Sequence, residues 1–514
     1  MEKTGFILKK PENLFLAIAL TFGLLFTLII APFHAESEPQ HYYRSYQISE
    51  FKLRADKKIV DCYGQQFETY LPSTTCVGGM LPKSLLTTAK ITEGIASRKN
   101  PKRKQNLQTI IALLNLPLDS NNRVFLRFPN ISLFFPITHL PQAFGMAIGR
   151  LFNVSPLVLL YVGRICNLLV WVLVVYLGIK IIPFYKWLLI LLALTPMSIF
   201  QASSLSGDTL TNGLSFLLIA VILKTAFDRG LQSSEGKPFR FVCVAAALML
   251  PAHQERVPHT AAIRYEGGKQ VTKSEIFILA LLSLFLSLCK LAYSPILFLV
   301  WVIPVERFRS KKQYFLTLSV IILFSLAAVL SWLVLTRHLN VPLRLDTPNL
   351  TTEQRLNYLA IQPGKLLVLL GNTLRVHGLT YLEQYLGGMG WVETKMPIWH
   401  MVSYGLVLLG VAACSHEKDI AISVRQKAII LSIAFTNIAL IFTLLYITWT
   451  DLDSDVIQGF QGRYLIPISP LLFLLLYNQK IKLNFKKFEY ALACYLLFCQ
   501  TLTLAVLLNR YWLS

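Results

Sequence analysis

Residues 14–33 read LFLAIALTFGLLFTLIIAPF, and residues 34–44 directly after them read HAESEPQHYYR. The first stretch has no charged side chain, and at 1.5 Å per residue it covers roughly 30 Å, the hydrocarbon thickness of a bilayer. No small-residue cleavage site follows, so Leu14 to Phe33 reads as a retained span and not as a cleaved signal. The second stretch sets acids, histidines and an arginine at the point where the chain leaves the membrane.

The rest of the chain agrees. Hydrophobic residues make up 54% of the sequence and charged residues 15%. The apolar residues come in blocks, without the 3.6 or 2.0 periods of a soluble domain. Further spans are expected at Pro156 to Ile182, Trp187 to Leu205, Leu210 to Phe227, Ile276 to Cys289, Pro295 to Val305, Tyr314 to Leu335, Ile398 to Cys414, Ala428 to Trp449, Tyr464 to Tyr477 and Tyr490 to Leu508. The two around Lys290 are short, which suggests a tight or broken hairpin. The fold class is therefore an all-α integral membrane protein of about eleven transmembrane helices, forming a single polytopic domain over residues 1–514.

Basic residues in the short connections give the orientation. Lys3, Lys9 and Lys10, Lys180 and Lys186, Arg307 to Lys312, Lys418 to Lys427, and Lys480 to Lys487 fall on one alternate side, which the positive-inside rule makes cytoplasmic. The N-terminus and the loop 228–275 are then cytoplasmic. The loop 34–155, the loop 337–397 and the acidic turn Asp451 to Asp455 are external. The net charge of +22 is spread over loops on both faces without a recognition motif, so membrane topology and anionic lipid account for it and nucleic acid is not an expected partner.

Within the long external loop, Tyr42 to Leu53 and Leu81 to Ala96 read as amphipathic helices lying in the interface. Arg98 to Lys104 reads as a linker, and Ile131 to Phe152 returns the chain to the membrane. Of the eight cysteines, Cys62 and Cys76 alone fall in this loop. A disulfide between them would stabilise the loop by roughly 3 kcal/mol; two unpaired thiols are the alternative.

Several motifs together resemble a known family: the cluster after the first span, GMLPKSL at 79–85, LPQAFGMAIGRLFNVSPLVLLYVGRICN at 140–167, QASSLSGDTLTN at 201–212, KLAYSP at 290–295, GGMGW at 387–391 and QGRYLIPISP at 461–470. The chain is similar to a bacterial multi-pass membrane family catalogued as domain of unknown function 2142, which is grouped with the GT-C glycosyltransferases. That resemblance implies a GT-C-like bundle in the cytoplasmic (inner) membrane, with its catalytic acid in the first external loop. The family pattern there is Pro, Asp, Glu, Pro, any residue, His; this chain has Ser37 at the Asp position. Either Glu38 carries the chemistry alone, Glu36 supplies a displaced second carboxylate, or activity has been lost.

A GT-C reaction takes a sugar from a polyprenyl phosphate. The acceptor hydroxyl loses a proton as it attacks the anomeric carbon, and the leaving phosphate needs stabilising. A carboxylate either acts as base or holds a divalent cation, Mg or Mn, against the phosphate, while Arg or Lys neutralises the leaving group. Glu38 is the first choice of carboxylate, its alternative being a helix-capping acid; Glu36 and His41 accompany it. Arg44, Arg164, Lys290 and Arg463 are the candidate phosphate ligands, because ionisable groups in or beside spans are costly and mark sites, with snorkelling as the alternative. Asp208 is either a sugar or metal contact or the cap of the helix that follows.

Other signals are weak. Pro258 interrupts any shared helical face of His253, Glu255 and His259, and Asn130, Asn153 and Asn349 begin N-x-Ser/Thr triplets without expected consequence in a bacterium. The expected function is sugar transfer from a polyprenyl-phosphate donor to a cell-envelope glycan, lipid or protein. The alternatives are a transporter or flippase of lipid-linked sugars and an inactive envelope-assembly subunit.

Overall fold

A computed structural model describes residues 10–63, 70–95, 104–227, 270–341, 352–390, 393–414, 417, 420–451, 454–478 and 485–513. Six of its helices are long and apolar enough to cross a membrane: Pro11–Ile29, Pro156–Ile181, Asp208–Phe227, Lys311–Leu339, Val424–Thr448 and Phe488–Tyr511. Among the described residues, the other expected spans are shorter helices or are interrupted.

Proline accounts for three of the interruptions, because it offers no N–H to continue a helix. The expected span Trp187 to Leu205 divides into Lys186–Ala193 and Pro196–Ala202. The expected pair around Lys290 is an α-helix, Lys273–Cys289, followed by a 3-10 segment, Leu291–Val302, with Pro295 inside it. Gly462–Ile468 is likewise 3-10 with Pro467 inside, and runs into Ser469–Leu474. These irregular pieces lie mostly buried among the long helices, where protein shields their backbone from lipid.

The expected cytoplasmic connections gather at one end of the bundle. Lys186 pairs with Glu12 at 3.7 Å, Tyr185 donates to the carbonyl of Ala412, and Phe184 packs its ring against Phe227 and Tyr477. Lys427 donates to the Tyr477 carbonyl at 2.7 Å. His253, Glu255, His259 and, of the expected linker Arg98 to Lys104, residues 98–103 lie outside the described residues.

The long loop at the other end is not all helical. Strands β1 (Asp56–Tyr63), β2 (Tyr70–Pro82) and β3 (Arg123–Arg127) pair in all three combinations, β1 with β3 in parallel and the other two pairs antiparallel. Gly78 belongs where β2 meets β3, since a Cβ there would lie 1.8 Å from the Leu126 carbonyl oxygen. Cys62 and Cys76 form a disulfide, with Cα atoms 6.6 Å apart. Helix Lys83–Ile95 follows β2.

Helix Glu38–Ser49 departs from the expected interfacial position: almost every residue in it is buried, covered by helix Leu140–Leu151 and the turn Pro136–His139. The loop 337–397 is also largely helical, with Thr352–Ile361 and Pro363–Gly387 in it. Four glycines, the charges of Lys365, Arg375 and Glu383, and polar residues break up the apolar pattern of Pro363–Gly387, which is why the sequence shows no helix there.

Candidate functional site

The chain turns sharply where the first helix ends. Phe33 and Ser37 both adopt left-handed backbone, with φ of 64° and 55°, a region that costs ordinary L-residues energy and that Asp and Asn tolerate better. Between them lies Glu36. Its Oε2 accepts from Arg463 Nη2 at 2.9 Å, and its Oε1 accepts from the Gln461 amide.

Arg463 opens the 3-10 segment after Gly462, and Gly462 explains its placement. A Cβ at Gly462 would lie 2.1 Å from the Tyr381 carbonyl oxygen, so glycine lets this segment come close to helix Pro363–Gly387. The Gly462 N–H then donates to Gln384 Oε1 at 2.8 Å.

From Glu36 the network continues to Asp208. Arg463 Nη1 faces Asp208 Oδ2 at 3.9 Å, Gln201 Nε2 donates weakly to the same oxygen at 3.5 Å, and Lys290 Nζ pairs with Oδ1. The break between Cys289 and Leu291 brings Lys290 here in extended backbone, φ −152°. Its ammonium lies 5.5 Å from the Phe134 ring centre and 5.4 Å from that of Tyr464, distances at which aromatic faces attract a cation. Asp208 begins the helix Asp208–Phe227, and its N–H donates to Ser206 Oγ at 3.2 Å.

His41 closes the group. Its Nδ1 lies 2.8 Å from His139 Nε2, and the charges of Asp208, Arg463 and Lys290 are close enough to act on it. Burial lowers its pKa from 6.5 to about 3, and lowers that of His139 well below the ordinary value. Both rings are therefore neutral near pH 7 and share one hydrogen bond.

The structure thus brings together five residues expected from the sequence: Glu36, His41, Asp208, Lys290 and Arg463. Gln201, Gln461, His139 and Tyr464 join them without having been singled out, although Gln201, Gln461 and Tyr464 lie inside the quoted motifs. The other expected residues lie elsewhere. Glu38 and Arg164 are fully buried and taken up with each other, Nε to Oε1 at 2.8 Å and Nη2 to Oε2 at 2.6 Å. Arg44 donates to Gln47 Oε1 at 2.5 Å and to the Leu53 carbonyl at 2.6 Å, bracing the end of helix Glu38–Ser49.

A second polar group lies on the other side of the turn. His34 Nδ1 faces Glu393 Oε1 at 3.5 Å, and Arg510 Nη2 faces the same oxygen at 3.4 Å.

The site holds two acids and two cations, each acid facing a cation. No group of three or more His, Cys, Asp or Glu that would hold a metal ion occurs among the described residues. Glu36 and Asp208 already face Arg463 and Lys290, so the donor set does not fit the expected Mg or Mn. An anion that reached Arg463 and Lys290 would have to displace Glu36 or Asp208 from them, and the displaced carboxylate could then take a proton.

The chain matches the family described as "Predicted membrane protein (DUF2142)" over residues 20–256 and 257–472. It belongs to that family. The match takes in Glu36, His41, Asp208, Lys290 and Arg463 alike. No curated protein and no solved structure matches the chain.

Proposed function

We propose that this protein is a GT-C-type glycosyltransferase of the bacterial cytoplasmic membrane. It would move a sugar from a polyprenyl-phosphate donor to a cell-envelope glycan, lipid or protein on the external face. The observation that carries the reading is Arg463 set between Glu36 and Asp208, with Lys290 on the other oxygen of Asp208.

In the proposed reaction, Arg463 and Lys290 bind the donor phosphate and stabilise it as it leaves. A carboxylate freed from its cation, Glu36 or Asp208, takes the proton of the acceptor hydroxyl. The acceptor oxygen bonds to the anomeric carbon as the bond from that carbon to the phosphate oxygen breaks. No step is assigned to a metal ion.

The test is transfer of labelled sugar from a polyprenyl phosphate in reconstituted membranes. Asp208→Asn and Glu36→Gln should each lower turnover while the protein still inserts and accumulates. Full activity in both variants would defeat this assignment of the chemistry.

One observation favours a transporter of lipid-linked sugars as the second reading: Asp208, Lys290 and Arg463 all lie at helix interruptions, as transport sites commonly do. The same reconstitution separates the two. A transferase leaves the label covalently on the acceptor, whereas a transporter carries the intact donor to the opposite leaflet.

A further inference from the structure

We propose that Glu38 and Arg164 are a positioning pair that sets the register between the two chain segments carrying Glu36 and Asp208. This rests on the reading that Glu36 and Asp208 do the chemistry.

Arg164 projects from the interior of helix Pro156–Ile181, and each of its donors is used. Nε and Nη2 bond Glu38. Nη1 donates to the carbonyls of Thr27 at 3.1 Å and Ile30 at 2.8 Å, and Nη2 donates also to that of Ala31 at 3.1 Å. A guanidinium has five N–H groups, so none remains for a phosphate. These carbonyls lie at and just past the end of the first helix, that of Ala31 accepting also from the His34 N–H at 3.2 Å, and a cation there also opposes the helix dipole. Arg164 therefore fixes the start of the turn that presents Glu36.

Glu38 holds the other segment. Its Oε1 accepts from the Leu205 N–H at 3.0 Å, three residues before Asp208. One turn beyond Arg164 on helix Pro156–Ile181, Asn167 Nδ2 donates to the Ser204 carbonyl at 2.7 Å. Ser203 Oγ donates to the Gly23 carbonyl of the first helix at 3.0 Å. The buried Glu38–Arg164 pair, with Asn167 and Ser203 beside it, thus ties the turn after the first helix to the segment 203–206, and the cation that Glu38 pairs with is Arg164. An acid so engaged orders the acids that follow it in the chain and in space.

The experiment has two arms. Ser37→Cys and Ser206→Cys are made in a background that keeps the Cys62–Cys76 bond and lacks the other cysteines. With Glu38 and Arg164 intact, both thiols should react slowly with a water-soluble methanethiosulfonate. Adding Glu38→Gln should accelerate both by at least about tenfold, since each segment loses a buried tether. The double variant Glu38→Gln with Arg164→Gln should do the same without leaving an unpaired buried charge. Acceleration at only one position, or at neither, overturns the proposal.

The second arm is sugar transfer in the otherwise native protein. Glu38→Gln should lower kcat by something on the order of a hundredfold through misplacement. The acid limb of the pH–rate profile should stay at its wild-type position, because the titrating carboxylates lie elsewhere. Loss of that limb in Glu38→Gln would make Glu38 the base and overturn the proposal. The thiol arm needs no transfer, so a wild-type protein that transfers nothing defeats the function proposed above while the thiol rates still decide the role of the pair.

Discussion

Arg463 donates to Glu36 across 2.9 Å inside a site where both side chains are about nine-tenths buried. Arg463→Ala therefore both removes a phosphate ligand and leaves a carboxylate unpaired, which costs about 3–5 kcal/mol when a buried pair is broken. The double variant Arg463→Ala with Glu36→Gln should recover much of that thermal stability without recovering affinity. Binding of farnesyl phosphate to the reconstituted protein should fall by at least about tenfold in both variants, as loss of a charge-assisted contact requires. Unchanged binding would remove Arg463 from the phosphate site.

The two histidines give a pH dependence with a definite sign. His41 binds its proton near pH 3 in the folded protein and near 6.5 when unfolded. Between those values the unfolded chain holds the extra proton, so the stability contributed by the neutral ring is full above about pH 6.5 and declines as the pH falls toward 3. His139, lowered in the same direction, adds to the slope. Thermal unfolding in detergent should show the wild type losing more stability from pH 7 to pH 5 than His41→Gln with His139→Gln does. Equal losses would contradict the buried neutral pair.

What the sequence revealed of the site follows from energetics. Glu36, Asp208, Lys290 and Arg463 stand out because a charge at the end of an apolar run is expensive and rarely accidental. Glu38 and Arg164 stand out for the same reason, but no sequence pattern says that they meet each other instead of a ligand. His139, alone in a proline-bounded turn, and the neutral Gln201 and Gln461 give no comparable signal. Membrane character and most helix positions were legible from the apolar blocks. The strands β1 to β3 were not, because Pro72, Gly78 and Gly79 in β2 read as breaks and turns; the interruption around Lys290 showed as two short apolar runs, whereas the breaks at Pro196 and Pro467 appear in a hydropathy reading only as ordinary spans.

The disulfide closes a loop with a sequence separation of 14, so chain entropy assigns it roughly 3 kcal/mol. A non-reducing mass map should contain one linked peptide spanning Cys62 and Cys76, and Cys62→Ser should lower the stability of the external loop by that order. Two freely alkylated thiols in protein purified without reductant would exclude the bond.

Topology can be tested independently of chemistry. A reporter fused after Lys104 should behave as exported and one fused after Arg309 as cytoplasmic, as the alternation of basic connections requires. Finding both on the same side would relocate the site.

The short 3-10 pieces that carry Lys290 and Arg463 also bear on biogenesis. Leu291–Val302 and Gly462–Leu474 are each shorter than a spanning helix, and their irregular backbones are tolerated at membrane depth only once protein surrounds them. The long helices can partition into lipid one by one as they emerge, but these pieces settle only when those neighbours are already in place. Without those neighbours, the chain lacks the packing that holds Lys290 and Arg463 beside Asp208.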